Sequence, residues 1–167
     1  TRLPEYYPTR TERAILTAHA GRIVALAGTP TLIELGSGSS DKTRLLLDAM
    51  QTAADGDPDG LGYVALDVSE DALRQACAGL VAQYPRLRVA AVRADFTHQL
   101  DVLPPGAGRT VAFLGSTIGN LDPAERAAFL AALRTGLRPG DHFLLGADLV
   151  KPAEVLVPAY DDAAGVT

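Results

Sequence analysis

Four short stretches of this chain place polar or glycine residues directly after an apolar run. They are Gly36-Ser-Gly38-Ser-Ser40-Asp41, Asp67, Asp95-Phe96 and Gly115-Ser-Thr-Ile-Gly-Asn120. A glycine-rich turn that opens a helix lets a ligand approach the backbone closely. A carboxylate or an aromatic ring at a neighbouring strand end adds acceptors and a flat contact surface. Each stretch alone reads as a tight turn, a capping Asp or a loop Asp. Four in succession describe a site.

Three ligand classes compete for the glycine turn. A dinucleotide requires Gly-x-Gly-x-x-Gly, and here Asp41 stands at the third glycine position, where its carboxylate repels a pyrophosphate at the helix N-terminus. A phosphate-binding loop requires Gly-x-x-x-x-Gly-Lys-Thr, and Gly36 to Thr43 fits except, again, at Asp41. Tyr63 to Asp67 could even be the strand and Asp that hold a magnesium ion, but a carboxylate inside a phosphate cradle opposes the field of the cradle. The third class is S-adenosylmethionine, which carries no phosphate, so Asp41 is no obstacle. Glu34 precedes the turn, Asp67 could accept from both ribose hydroxyls, and Asp95 with Phe96 could meet the adenine amine and ring.

The elements that must position these residues alternate between helix and strand. A helical stripe runs over Thr11–Ala27 through Ile15, Leu16, His19, Ile23 and Leu26, and Gly28-Thr-Pro30 stops it. Thr31–Leu35 reads as a buried strand, followed by a helix with Ser40 as its N-cap and Leu45, Leu46, Ala49 and Met50 inward. Tyr63–Leu66, Arg88–Val92, Thr110–Leu114 and His142–Leu145 are further strands. Ser69 caps the helix carrying Leu73, Ala76, Cys77, Leu80, Val81 and Tyr84 at helical spacing; Asp122-Pro123 opens another with Phe129, Leu130, Leu133 and Leu137 inward. The tail from Pro152 reads as helical. Such alternation predicts an α/β fold, a doubly wound Rossmann-like parallel sheet whose ligand crevice lies beyond the C-terminal strand ends. The expected organisation is a helical segment over 1–30, a cofactor-binding core over 31–150 and the start of a substrate-side region over 151–167.

Composition narrows the function classes. The 167 residues are 47% hydrophobic, enough for one folded domain. Fifteen Lys and Arg against 20 Asp and Glu give a net charge of −5, without a basic run, which argues against a nucleic-acid partner. No apolar run reaches the roughly 18 residues of a membrane span. One cysteine cannot form an internal disulfide, and a reducing, cytoplasmic location is expected. Cys77 lies on an apolar stripe and reads as core packing; His19, between Ile15 and Ile23, reads as a satisfied, partly buried histidine. His98 and His142 stand alone, so no metal site is expected. Asp161-Asp162 reads as a solvated or supporting pair.

The residues also carry a family resemblance. Glu34-Leu-Gly-Ser-Gly38, Asp67 and Asp95 resemble successive motifs of class I S-adenosylmethionine-dependent methyltransferases. Tyr6-Tyr-Pro-Thr-Arg10-Thr-Glu12, Glu34 to Arg44, Phe113 to Asn120 and Tyr160 to Thr167 resemble, more closely, the histidine-specific methyltransferase family of ergothioneine biosynthesis. The resemblance implies methylation of the L-histidine α-amine to the trimethylated betaine, hercynine. It implies cofactor contacts from Gly36, Gly38, Lys42, Asp67, Asp95 and Phe96, with Lys42 facing the amino-acid carboxylate. It implies substrate contacts from Tyr6, Gly115, Asn120 and Tyr160. Transfer from sulfonium to a neutral amine needs positioning above all, and no general base is identified.

The full class I fold resembles this order but adds two strands beyond the fifth, and the family grips the imidazole with residues C-terminal to the matching region. The chain is therefore expected to be a fragment of a longer protein. An exposed edge on the fifth strand, self-association through it, and an incomplete histidine pocket are the expected consequences. Two other readings remain: a degenerate phosphate-loop protein, and a cofactor-binding module without catalysis.

Overall fold

A computed structural model describes residues 7–38, 40–54 and 60–160. Helix α1 (Tyr7–Ala27) leads into β1 (Thr31–Leu35), α2 (Thr43–Ala53), β2 (Gly62–Asp67), α3 (Glu70–Gln83) and β3 (Arg88–Arg93). Then follow β4 (Arg109–Phe113), α4 (Pro123–Gly136), β5 (His142–Leu145) and α5 (Ala153–Tyr160). Short 3-10 turns lie at Leu100–Val102 and Thr117–Asn120. The five strands form one parallel sheet in the order β3-β2-β1-β4-β5. The chain leaves β1 in one direction for β2 and β3 and returns on its other side as β4. The strand order thus reverses between β1 and β4, where a doubly wound sheet opens its crevice.

The centre of the sheet is buried on both faces. Leu32, Tyr63, Ala65 and Ala112 point to one side, where Leu16 and Ala20 of α1, Leu46, Leu47 and Met50 of α2, and Leu73 and Leu80 of α3 cover them. Ile33, Leu35, Val64, Leu66, Val111 and Phe113 point to the other, against Phe129 and Leu133 of α4. This two-residue alternation explains why β1, β2 and β4 read as continuous apolar runs: both sets need cover.

Two helix starts form as their sequences dictate. The Ser69 hydroxyl accepts the Ala72 N–H at 3.3 Å. Asp122 accepts the Ala124 and Glu125 N–H groups while Glu125 accepts the Asp122 N–H, a complete capping box with Pro123 at the first helical position.

Two expectations need correction. Ser40 does not cap α2, which has no side-chain cap. Ser40 sits at φ +53° and turns its hydroxyl inward, 3.0 Å from the Tyr63 hydroxyl. A buried polar partner outcompetes the exposed helix end. Helix α1 begins four residues earlier than its stripe suggested, and it packs through Leu16, Ala20, Ile23 and Val24. Ile15 and His19 are exposed and Leu26 is 73% exposed, and Val81 of α3 and Leu130 of α4, expected on inward stripes, also face solvent because each lies at the edge of the stripe its helix buries. Cys77 packs at the margin of the α3 core, and burial pushes its thiol up. Among the described residues no helix is long and apolar enough to cross a membrane.

Candidate active site

The glycine turn after β1 is held by the end of β2. The Gly36 and Ser37 N–H groups both donate to the Leu66 carbonyl, at 2.8 and 3.2 Å. The Gly38 N–H donates to Asp67 Oδ2 at 3.1 Å, and Asp67 Oδ1 accepts the Ser69 N–H at 3.0 Å. Asp67 therefore fastens the turn to the start of α3. Gly36 lies at φ +70°, and a Cβ there would stand 3.4 Å from Phe96 Cε1. Glycine is required on both counts: the left-handed backbone and the ring against it.

Phe96 reaches the turn from the end of β3 and rests on the core. Its ring meets Phe113 edge-on at 5.1 Å between centroids and Phe129 at 6.3 Å. Asp95 beside it folds its carboxylate into its own turn. Oδ1 accepts the Thr97 hydroxyl at 2.5 Å and the Thr97 N–H at 2.9 Å, and Oδ2 lies 3.1 Å from His98 Nδ1. The Thr97 hydroxyl, then its N–H and His98, hold Asp95 below the usual carboxylate range.

Under the turn lies a carboxylate that composition alone would not bury. Glu34 is 4% exposed; Oε2 accepts the Thr43 hydroxyl at 2.5 Å and the Tyr63 hydroxyl at 2.7 Å. Burial pushes its carboxyl up to about 7, against the pull of those hydrogen bonds and of the Lys42 charge. Burial and the Glu34 charge together push the Tyr63 hydroxyl up as well.

Lys42, at the entry to α2, points across the crevice and pairs with Glu12 of α1. Both Glu12 oxygens also accept the Gly115 N–H, at 2.8 and 3.0 Å. A side chain at Gly146, just beyond β5, would overlap the Glu12 carboxylate. One carboxylate thus joins α1 to the ends of β4 and β5 and to the glycine turn. Gly115 and Ser116 are both left-handed, at φ +79° and +60°. The chain there turns sharply off β4 into the 3-10 turn ending at Asn120.

These residues enclose a cavity of about 470 Å³ at the β1–β4 reversal. Glu34, Gly36, Ser37, Gly38, Lys42 and Gly115 line it. A smaller cavity of about 190 Å³ adjoins it behind Gly115, bordered by Tyr7, Glu12, Ser116 and Asp148. Asp148 binds the Tyr7 hydroxyl and the Lys151 ammonium, which stands 4.9 Å over the Tyr7 ring, while the Asp148 N–H donates to Ser116 Oγ at 2.7 Å.

The structure brings Gly36, Gly38, Lys42 and Gly115 around one cavity, with Asp67 and Phe96 supporting its floor. Asp95 lies further along, at the end of β3. Asn120 is exposed at the close of its turn and borders neither of these two cavities. Tyr160 ends α5, whereas Tyr6 and Asp161-Asp162 lie outside the described residues. Glu12, Ser37, Thr43 and Tyr63 are site neighbours that sequence patterns did not single out. Glu12 lies in the segment Tyr6 to Glu12 that carries the family resemblance, but nothing local assigns it a partner.

The cavity suits S-adenosylmethionine. Among the described residues Ser37 Oγ, buried on its wall, has no hydrogen-bond partner, an unmet group of the kind a bound ligand satisfies. The glycine turn exposes backbone, Asp67 offers a carboxylate beside it, and Lys42 offers a cation at the far end.

The fold and crevice define an α/β domain of the class I methyltransferase architecture. The solved CcbJ methyltransferase from Streptomyces caelestis is 21% identical and superposes over 86% of this chain and 52% of its own, with a TM-score of 0.58, a likeness of fold. The chain belongs to the histidine-specific, S-adenosylmethionine-dependent methyltransferase family, whose model matches residues 1–167. A histidine N-alpha-methyltransferase from Mycolicibacterium smegmatis is 54% identical over 168 residues, covering 100% of this chain and 51% of the relative. Ergothioneine biosynthesis protein 1 from Neurospora crassa is 32% identical over 172 residues, covering 100% of this chain and 19% of that protein. The chain thus spans about half the length of the bacterial relative.

Proposed function

We propose that this chain is the S-adenosylmethionine-binding part of an N-methyltransferase that acts on the α-amine of L-histidine and carries it to the trimethylated betaine, hercynine, for ergothioneine biosynthesis. The observation that carries the reading is the cavity between the Gly36–Lys42 turn and Gly115, placed at the strand-order reversal and walled by the unpartnered Ser37 hydroxyl. The bacterial relative's name supports histidine as the substrate, and the fungal relative's name supports the pathway.

In this reading Gly36 and Gly38 admit the ligand to the backbone, and Lys42 pairs with its amino-acid carboxylate. Asp67 accepts from the ribose diol; Asp95 and Phe96 meet the adenine. Tyr6, Gly115, Asn120 and Tyr160 serve the histidine side. Residues 31–150 form the cofactor core, with 1–30 and 151–167 on the substrate side. When bound, S-adenosylmethionine supplies an electrophilic methyl group on a sulfonium. The contribution of the chain is alignment: a neutral amine held in line with that methyl gains most of its rate from orientation. A phosphate ligand is disfavoured here, because the carboxyl groups of Glu34 and Asp41 border the cavity.

Calorimetry with S-adenosylhomocysteine, followed by histidine, tests the reading. Micromolar binding of S-adenosylhomocysteine and none of Mg-ATP is expected. Methyl transfer to histidine, followed by mass spectrometry of the product, tests substrate and methyl count; transfer by the whole protein to another amino acid but not to histidine overturns the histidine assignment.

A further inference from the structure

We propose that Glu12 is a positioning residue for the amino-acid end of the cofactor, acting through Lys42; the proposal rests on the cofactor reading above. Three segments converge on its carboxylate. Lys42 comes from the glycine turn, Gly115 from the end of β4, and Gly146 from the end of β5, where a side chain would overlap it. Glu12 itself comes from α1, outside the sheet. A helix pinned for stability alone has no need of a charged contact at the ligand crevice; its apolar face through Leu16 and Ala20 already packs on the core.

The geometry of Lys42 explains the need. Its ammonium sits on a flexible four-carbon stem with three donors. Glu12 binds it across the crevice, while Glu34 lies on the wall of the same cavity beneath the turn. Glu34 is already bonded to Thr43 and Tyr63 deep in the sheet. Bonding to Glu12 holds the ammonium over Gly115, at the cavity wall, with donors left for a ligand carboxylate. Without the Glu12 charge, the ammonium loses the partner that keeps it at that wall. The Gly115 N–H would also lose its charged acceptor, loosening the backbone that separates the two cavities.

Two probes differ only at the relevant end. S-adenosylhomocysteine carries the amino-acid group, and 5′-methylthioadenosine carries none. Binding of both is measured by calorimetry to the full chain, to Glu12→Gln, to Lys42→Met and to the double variant, with melting temperatures alongside. Glu12→Gln should weaken S-adenosylhomocysteine at least fivefold and leave 5′-methylthioadenosine within twofold. The Glu12→Gln and Lys42→Met losses should not add, because one residue acts through the other. Glu12→Asp, which keeps the charge one methylene further back, should recover part of the affinity and serves as the second variant where Glu12→Gln is poorly folded. Equal losses for both probes, additive losses in the double variant, or unchanged or tighter binding of S-adenosylhomocysteine overturn the proposal. Wild-type protein that binds neither probe overturns the cofactor reading itself, and the positioning role with it.

Discussion

The Tyr63 hydroxyl donates to Glu34 Oε2 at 2.7 Å, joining adjacent strands through a carboxylate that is almost wholly buried. Thr43 donates to the same oxygen from the first turn of α2. The glycine turn is therefore underlain by a polar knot, and its proton balance couples folding to pH.

Glu34 titrates near 7 in the folded chain against 4.5 for an ordinary Glu. A raised carboxylate pKa means that the native state holds more protons than the unfolded state between these values. Stability should then fall as pH rises from about 4.5 to 7, by a cost on the order of 3 kcal/mol once the group is ionised. Thermal melts across pH 4.5–8 should show that decline in the wild type and a flatter profile in Glu34→Gln. Parallel profiles would show that Glu34 is not the titrating group.

Gly36→Ala introduces a side chain at φ +70° with Phe96 3.4 Å away. The left-handed backbone alone costs about 1–2 kcal/mol, and the new methyl narrows the ligand path. Melting should drop by several degrees, and S-adenosylhomocysteine affinity by tenfold or more. Calorimetry that finds native affinity in this variant would exclude close backbone approach at Gly36.

Asp67→Ala removes the acceptor of the Gly38 and Ser69 N–H groups. A hydrogen bond to a charged group is worth about 1.5–3 kcal/mol, so affinity for S-adenosylhomocysteine and for 5′-methylthioadenosine should fall together by roughly 10- to 100-fold. The shared loss separates Asp67 from Glu12, whose effect should be confined to the first probe. A loss of S-adenosylhomocysteine alone would refute a ribose-side role.

Arg109 and Asp141 form a buried pair at the opposite end of the sheet, where β4 and β5 begin. The Arg109 guanidinium also donates to the Pro104 and Gly136 carbonyls, at 2.6 and 2.9 Å. Burial alone would raise the Asp141 carboxyl, but bonds from the Arg109 guanidinium and from the Arg138 and Arg109 N–H groups hold it down at about 2. Its contribution is present above pH 3.8 and is lost as pH falls through 2. Arg109→Ala should destabilise by about 3–5 kcal/mol through an uncompensated buried carboxylate. Ligand affinity of the folded fraction should hold. Chemical denaturation with parallel calorimetry checks both, and an affinity loss matching the stability loss would contradict this separation.

Much of the fold follows from local signals. The alternation of apolar runs with capped amphipathic helices specifies a parallel α/β sheet, because buried strands and 3.6-residue stripes need each other's cover. The placing of Gly36, Asp67, Phe96 and Gly115 at one end of the sheet is readable in the sequence because each follows a strand, and topology sends all C-terminal strand ends to one side. Asp122-Pro123 and Ser69 were readable because a cap is satisfied within four residues. What the sequence could not supply are contacts between segments far apart in the chain. Ser40 looked like a cap, and only the nearness of Tyr63 explains why it turns inward. Helix α1 carries a broad stripe, and only its docking decides that Leu16, Ala20 and Ile23 meet the core while Ile15 and Leu26 stay exposed. Glu12 carried no local sign of its role, because its partners Lys42 and Gly115 lie 30 and 103 residues away and meet it only after α1 docks on the sheet. The sequence alone determined strand ends, caps and the chemical types at the crevice, since those depend on neighbours in the chain. The tertiary structure decided which carboxylates face one another and which are buried, since charge pairing and desolvation depend on distance in space.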